Sequence, residues 1–294
     1  MVFLCAGAAV FSGNPRADEA AAPEPAAETA RIPPPETPPE WQPLFKGVDY
    51  AEVVREAPEP LSVHAVRIDL ADPDIRFLVT PQNGGKDKET DALKTSSFLV
   101  HHGCQVAVNA SPFAPVANQE GEPQDILGLS VSEGDQYSNQ HPKFGSLIIT
   151  KDNKVSMSEP PLDASTAHNA VGGFMMLLED GENAGTGGER HPRTAAGVSK
   201  DGTRLYLVVI DGRQPDRSVG TSTAETAEWM RYLGAFTALN LDGGGSAALA
   251  VADGEGGAKL LNRPIHNRLP GMERPVANHL GVFAKPLAEG APAP

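Results

Sequence analysis

Between Ala238 and Val251 a short apolar run, Ala238-Leu239-Asn240-Leu241, leads into Asp242 and then three consecutive glycines before Ser246. Each glycine loses more backbone entropy on folding than a substituted residue would. Keeping Gly243, Gly244 and Gly245 together therefore implies positive φ or a very close approach of the backbone to another group. Successive N–H groups in such a bend can form a concave anion site, with the Ser246 hydroxyl as a further donor. Arg193 and Arg213 carry forked guanidinium groups that suit phosphate. The carboxylates of interest are Asp242, Asp211 and Glu225. Plainer readings stand beside these. Asp211-Gly212 is an ordinary turn dipeptide, and Glu225 completes a Ser222-x-x-Glu225 capping box. Arg193 suits a weak surface pair, and Asn240 either points into a pocket or ties the loop down.

Other patterns carry less chemistry. His101-His102-Gly103-Cys104 matches no zinc spacing and reads as a helix end followed by a buried cysteine. Cys5 and Cys104 are the only cysteines, which excludes a disulfide framework or a multi-cysteine metal site. Gly244-Gly245-Ser246 distantly resembles a serine-hydrolase elbow with His266 or His279 downstream, but that elbow needs a helix next, and Leu249-Ala250-Val251 reads as a strand. Asp201-Gly202-Thr203 and Asp253-Gly254-Glu255-Gly256 lack the oxygen spacing of a calcium loop. No metal and no cofactor are expected.

The elements that must hold these residues are mostly strands. Alternation predicts strands over 63–70 and 75–79, joined by the Asp72-Pro73-Asp74 turn. A helix is expected over 89–101, stopped at Gly103, then a buried strand over 104–108, with a turn at Asn109-Ala110-Ser111-Pro112-Phe113. Further strands are expected over 126–131, 146–150, 170–178, 194–198, 205–210, 238–241 and 247–251. A second helix runs from the Ser222 cap to Gly234, with Ala227, Met230 and Leu233 as its apolar stripe. Many strands with two helices and no regular βαβ alternation predict an α+β class. Its sheets are mixed and mostly antiparallel, and the folded part is a single domain.

Composition bounds the remaining choices. The chain has 294 residues, 40% of them hydrophobic and 21% charged, so it folds. Its net charge of -14 argues against nucleic acid as a partner, since phosphate neutralisation needs a basic face. The apolar run at 1–11 is far shorter than the ~20 residues of a membrane-spanning helix and reads as the remnant of an export signal over 1–13, although no basic residue precedes it. Residues 14–44 are rich in proline and alanine and read as a disordered tether, 45–287 as the folded domain and 288–294 as a disordered tail. The expected location is exported: periplasmic, cell-surface or secreted.

The block Asn240-Leu241-Asp242-Gly243-Gly244-Gly245-Ser246 resembles the hallmark of the phosphodiester glycosidase family, and its neighbours keep the family's order. These are His191-Pro192-Arg193-Thr194-Ala195-Ala196-Gly197, Val209-Ile210-Asp211-Gly212-Arg213, Gly220-Thr221 with Glu225, Leu261-Asn262-Arg263-Pro264, and Glu273-Arg274 with Val276 and Asn278. The resemblance covers about residues 60–285. One departure is Asn109-Ala110-Ser111-Pro112-Phe113, where many members carry an Asn-Gly-Gly-Phe-Phe-like element.

The resemblance implies an exported hydrolase that cleaves the C1–O bond of a glycosyl phosphodiester in an envelope or extracellular polysaccharide. The leaving phosphomonoester has a second pKa of about 6, so it departs without a strong general acid. Asp242, Asp211 and Glu225 would be catalytic, with base and stabiliser not distinguished. Arg193, Thr194, Arg213, Asn240, Gly243, Gly244, Gly245, Ser246 and Asn109 would hold substrate or phosphate. The partner is then a carbohydrate bearing a phosphodiester, with no transmembrane segment. The competing functions are a non-catalytic glycan-binding domain and a hydrolase of ordinary glycosidic bonds.

Overall fold

The computed structural model describes residues 32–288; the expectations for the apolar run, for the tether up to Arg31 and for the tail from Glu289 lie outside the described residues. Strand Arg204–Ile210 shows how the fold is organised. All seven residues are apolar or long, and six are buried. Period-two alternation sends Leu205, Leu207 and Val209 into one core and Tyr206, Val208 and Ile210 into another. A strand covered on both faces has no polar face to show, so the run is nearly continuous in apolar residues.

This strand lies inside an eight-stranded sheet. From one edge the order is Gln42–Phe45, Val48–Arg55, Leu61–Asp69, Arg204–Ile210, Arg193–Val198, Thr237–Asn240, Met175–Glu179 and Glu182–Asn183. Helix α2, Thr223–Leu233, covers one face through Ala227, Trp229, Met230 and Leu233. The other face packs on two five-stranded sheets. One, in order, is Ala258–Leu260, Leu249–Ala252, Val106–Asn109, His279–Phe283 and Arg76–Val79; the other is built around Asn169–Gly172 and Ser146–Ile149. Helix α1, Thr95–His102, covers the outer face of the first small sheet through Phe98 and Leu99. The sheets are mostly antiparallel, as expected: the pairings between the described strands are antiparallel, and the isolated Ile265–Met272 bridge is parallel.

Four local expectations need correction. The helix expected from Glu89 begins only at Thr95, because Thr90–Asp91 pairs with Pro123–Ile126 and the Glu89 carboxylate accepts the Ile126 N–H at 2.6 Å. The run 170–178 is two strands in different sheets: Gly173 passes so close to Asn240 O that a Cβ would lie 2.6 Å from it, and there the chain changes sheets. The run 126–131 breaks at Gly128, whose φ is +125°. The strands flanking Asp72-Pro73-Asp74 also belong to different sheets, the first paired with Arg204–Ile210 and the second with His279–Phe283.

Residues 32–41, grouped with the tether on composition, lie against α2. Ile32 is 1% exposed; its N–H bonds to Glu225 Oε1 at 3.1 Å and its carbonyl accepts Trp229 Nε1 at 3.2 Å. Glu225 thus serves three partners: the capping box with Ser222, the Ile32 amide, and Arg190, whose Nη2 lies 2.7 Å from Oε1. Burial pushes the Glu225 carboxyl pKa up, but these donors outweigh it and the net shift is downward. Glu225→Ala removes one of the two carboxylates that pair with the largely buried Arg190 and leaves the Ser222 and Ile32 amides without their acceptor, and is expected to cost roughly 2–4 kcal/mol. Urea unfolding checks this, and a loss below about 0.5 kcal/mol would mean the cap and the 32–41 segment hold without it.

Candidate active site

The glycine bend is where the chain leaves the eight-stranded sheet at Asn240 and re-enters the small sheet at Leu249. Asn109, the last residue of the neighbouring strand, ties the crossing together. Its Nδ2 donates to Asp242 O at 2.6 Å, and its Oδ1 accepts from Thr194 Oγ1 at 2.7 Å and from Ala248 N at 3.1 Å. Asn109 and Thr194 are therefore buried and mutually satisfied: they brace the bend rather than face a substrate. Asn240 is 4% exposed, and its Oδ1 has no hydrogen-bond partner among the described residues.

The glycines are required by close approach and, at Gly244, by positive φ, as their run implies, but the bend is not a row of free amides. Gly244 N–H is bonded to Pro192 O at 2.8 Å and Ser246 N–H to Gly243 O at 3.1 Å, while the Gly243 amide serves the Asp242 carboxylate. The Gly243, Gly244 and Ser246 amides are thus engaged within the protein, which narrows the concave amide site expected from the sequence. What crowds the bend is guanidinium. A Cβ on Gly245 would lie 2.7 Å from Arg274 Cζ, and one on Gly244 would lie 3.1 Å from Arg213 Nη2. Gly244 also has φ of +60°, and a Cβ on Gly243 would lie 2.7 Å from Pro192 O.

Arg193 completes the set. Its Nε donates to Thr221 O at 2.9 Å and its Nη2 to Glu189 O at 3.0 Å. Arg274 is held by His266 Nδ1 at 3.1 Å and Ser246 Oγ at 3.3 Å. A guanidinium only donates, so this bond fixes His266 as the neutral tautomer with its proton on Nε2. Among the described residues the arginine ion pairs belong to Arg67, Arg190, Arg204, Arg217 and Arg231; Arg193, Arg213 and Arg274 make none. Burial and then the Arg213 charge lower the Arg193 pKa. The Arg274 pKa is lowered by burial, offset by Asp242, and lowered again by Arg213. His191 is lowered by burial, Arg193 and Arg213. Two like charges ~8 Å apart repel by roughly 2 kcal/mol at an effective dielectric of about 20, and an arriving anion reverses the sign of each such balance. Arg213 also keeps φ of +58°, a conformation that costs energy and recurs at functional positions.

Asp242 is the carboxylate in this group. Desolvation pushes its pKa up to about 6 against the opposing effects of Ser246 Oγ, the Arg274 charge and the Gly243 amide. The other two acids differ. Asp211 is 1% exposed and its carboxylate accepts from Asn262 Nδ2 at 3.0 Å and from the Arg263 amide at 3.0 and 3.1 Å, so it secures the 262–263 segment. Glu225 is consumed at the α2 cap. The structure therefore gathers Asp242, Gly243, Gly244, Gly245, Ser246, Arg193 and Arg213, and leaves Asp211, Glu225, Asn109 and Thr194 as supports. Arg274, His266 and His191 were not assigned from sequence. Arg274 sits 32 positions beyond Asp242 with no local cue, although it stands within one of the resembling blocks. A cleft of about 790 Å³ opens beside the bend, with Arg213 and Arg274 in its wall. Among the described residues no cluster of three His, Cys, Asp or Glu side chains is placed to hold a metal ion, and no helix is long and apolar enough to cross a membrane.

The site is thus a glycine bend at the junction of antiparallel sheets, with one carboxylate and with arginines that make no ion pair among the described residues. The phosphodiester glycosidase family model matches residues 102–283, which include all of these side chains, and the chain belongs to that family. Among solved structures, the zebrafish N-acetylglucosamine-1-phosphodiester alpha-N-acetylglucosaminidase catalytic domain, auto-inhibited by its pro-peptide, is similar at 20% identity and a TM-score of 0.62, covering 85% of this chain and 89% of that one. A Synechocystis protein described only as hypothetical is similar at 17% identity and a TM-score of 0.56, over 85% of this chain; the match spans 64% of the Synechocystis chain. A Burkholderia pseudomallei protein provisionally described as exported matches at 18% identity and a TM-score of 0.55, over 78% of this chain and 75% of that one. At these identities the structures share the fold. No curated protein matches at a significant level.

Gly245 has ordinary φ, so Gly245→Ala tests the close approach of Arg274 without backbone strain. The variant is expected to fold and to bind inorganic phosphate at least about tenfold more weakly, a loss of about 1.4 kcal/mol by calorimetry. Unchanged phosphate affinity would remove Arg274 from the anion site.

Proposed function

We propose that this protein is a hydrolase that cleaves the C1–O bond of a sugar 1-phosphodiester, releasing a free sugar and a phosphomonoester. The observation that carries this reading is the convergence of the Arg213 and Arg274 guanidinium groups on the bend that presents Asp242, with Arg193 close enough to feel the Arg213 charge and none of the three paired with a carboxylate. A phosphoryl group between the guanidinium groups removes their mutual repulsion and is held by charge-assisted bonds. As C1–O breaks, the bridging oxygen keeps the bonding pair and leaves on phosphorus, and its growing charge falls where the arginines already stand. Asp242, ionised, stabilises the oxocarbenium-like ring and accepts a proton from the water that attacks C1.

The use of carboxylates favours this reaction over ordinary glycoside hydrolysis. An alkoxide leaving group needs a general acid, so most glycosidases position two carboxyl groups across the bond. Here Asp211 and Glu225 are committed to amides, Asn262 and Arg190. A phosphate leaving group needs no proton, and one carboxylate suffices. The family membership supports the same class of bond. We assign the place of action, an envelope or extracellular polysaccharide, from the amino-terminal sequence and from the likeness to a protein provisionally described as exported.

Purified protein incubated with a panel of sugar 1-phosphodiesters is expected to release free sugar and phosphomonoester. Binding without turnover would favour a glycan-binding domain instead, and turnover confined to ordinary glycosides would exclude this reading. Asp242→Asn should lower kcat by about 10³-fold or more. The wild-type kcat/KM should rise with pH through about 6, where Asp242 ionises, and this limb should vanish from the residual activity of the variant. The folded pKa of Asp242 lies above its unfolded value, so the acid destabilises the fold as pH rises from about 4 to 6 and fully above that. Asp242→Asn should therefore be more stable than wild type at pH 7.5 by on the order of 2 kcal/mol, with the gap closing below pH 4. A variant both inactive and destabilised at pH 7.5 would mark Asp242 as a structural residue.

A further inference from the structure

We propose that the cleft beside the glycine bend is a second anion subsite, so that the group departing with the phosphate carries at least one further negative charge. This rests on the reading of the bend as the phosphate site. The cleft measures about 790 Å³ and its wall includes Arg213, Arg217, Arg263, Arg268 and Arg274 against the single acid Asp216. Arg213 and Arg274 belong to both spaces, so an occupant of the cleft is continuous with a phosphate at the bend. A lone phosphate fills a small part of such a volume. In a chain of net charge -14, five guanidinium groups around one space is a local inversion of charge.

Two of these arginines have no other evident duty. Arg263 and Arg268 are exposed and make no ion pair among the described residues, although the chain is rich in carboxylates. Arg217, by contrast, has Nε 3.6 Å from Asp211 Oδ2. Arg263 is placed by its backbone, whose N–H is anchored on buried Asp211 and whose carbonyl accepts from Gln214 Nε2 at 2.9 Å. Arg268 sits in the two-residue turn between strands Ile265–His266 and Leu269–Pro270, where Asn267 has φ of +51° and Arg268 φ of +63°. Such turns favour glycine at the second position. An arginine held there against that preference places a cation on the rim of the cleft at a conformational cost. The buried acid behind the cleft thus orders a backbone segment whose side chain is free to meet an anion.

A second phosphate and a carboxylate offer the same chemistry to these groups, and the probes separate them: inorganic phosphate, pyrophosphate, and phosphonoacetate, whose carboxylate replaces the second phosphate. By calorimetry at fixed low salt, pyrophosphate, phosphonoacetate or both should bind wild type at least about tenfold more tightly than phosphate. In the Arg263→Ala, Arg268→Ala double variant that advantage should fall below about threefold while phosphate affinity changes less than about twofold. An advantage that survives the double substitution, or equal affinities for all three probes in wild type, overturns the subsite. Turnover of a methyl sugar 1-phosphodiester is read in parallel: turnover together with equal probe affinities sinks the subsite alone, whereas no phosphate binding and no turnover sinks both readings.

Discussion

The constraint on which the rest depends is the repulsion among three guanidinium groups held over one bend of backbone. Burial and the Arg213 charge lower the readiness of Arg193 and of Arg274 to hold a proton, with Glu225 acting the other way on Arg193 and Asp242 on Arg274. The scaffold works to keep them there. Carbonyls of Glu189 and Thr221 fix Arg193, neutral His266 and Ser246 fix Arg274, and Arg213 is carried on a left-handed backbone. The glycines are the complement of this arrangement, since a side chain at 245 would occupy the space of the Arg274 guanidinium. The bend itself is pinned by Asn109, whose amide reaches both ends of the crossing and the adjacent strand. An apo site of this kind is less stable than the same fold with its charges paired, which is the usual relation between function and stability at a binding centre.

The distribution of acids follows the same logic. An acidic chain has many carboxylates that could neutralise the arginines, yet the nearest buried ones are turned elsewhere. Asp211 accepts from Asn262 and Arg263, and Glu225 accepts from Ser222, Ile32 and Arg190. Each satisfies backbone amides that would otherwise be buried without partners, so each contributes stability at a distance from the charge cluster. Asp242 alone stands close enough to feel Arg274, and desolvation holds it near the boundary between neutral and ionised at about 6. A group poised there changes its charge with modest changes in its surroundings, including the arrival of an anion.

Much of this was legible in the sequence where local rules and tertiary structure agree. The α2 capping box and its Gly234 stop are local, and both appear as read. Strands Arg193–Val198 and Arg204–Ile210 announce themselves because central strands covered on both faces must be apolar throughout. The glycine run was correctly read as a demand for unusual φ or close approach. What closes on it was hidden, because Arg274 arrives from another part of the chain. The same limit explains the misplaced start of α1, where pairing of Thr90–Asp91 overrides a helical pattern, and the split of 170–178, where a change of sheet leaves the apolar run unbroken. Asp211 and Glu225 were read as candidates for chemistry because side-chain type was visible while their partners, Asn262, Ile32 and Arg190, were not.

The most direct test of the charge cluster is a crystal structure determined with inorganic phosphate. The account predicts phosphate oxygens within about 3.2 Å of guanidinium nitrogens from at least two of Arg193, Arg213 and Arg274, with the Asp242 carboxylate facing the same space. Phosphate bound elsewhere with the bend empty, or the three guanidinium groups closed onto carboxylates of their own chain, would contradict it.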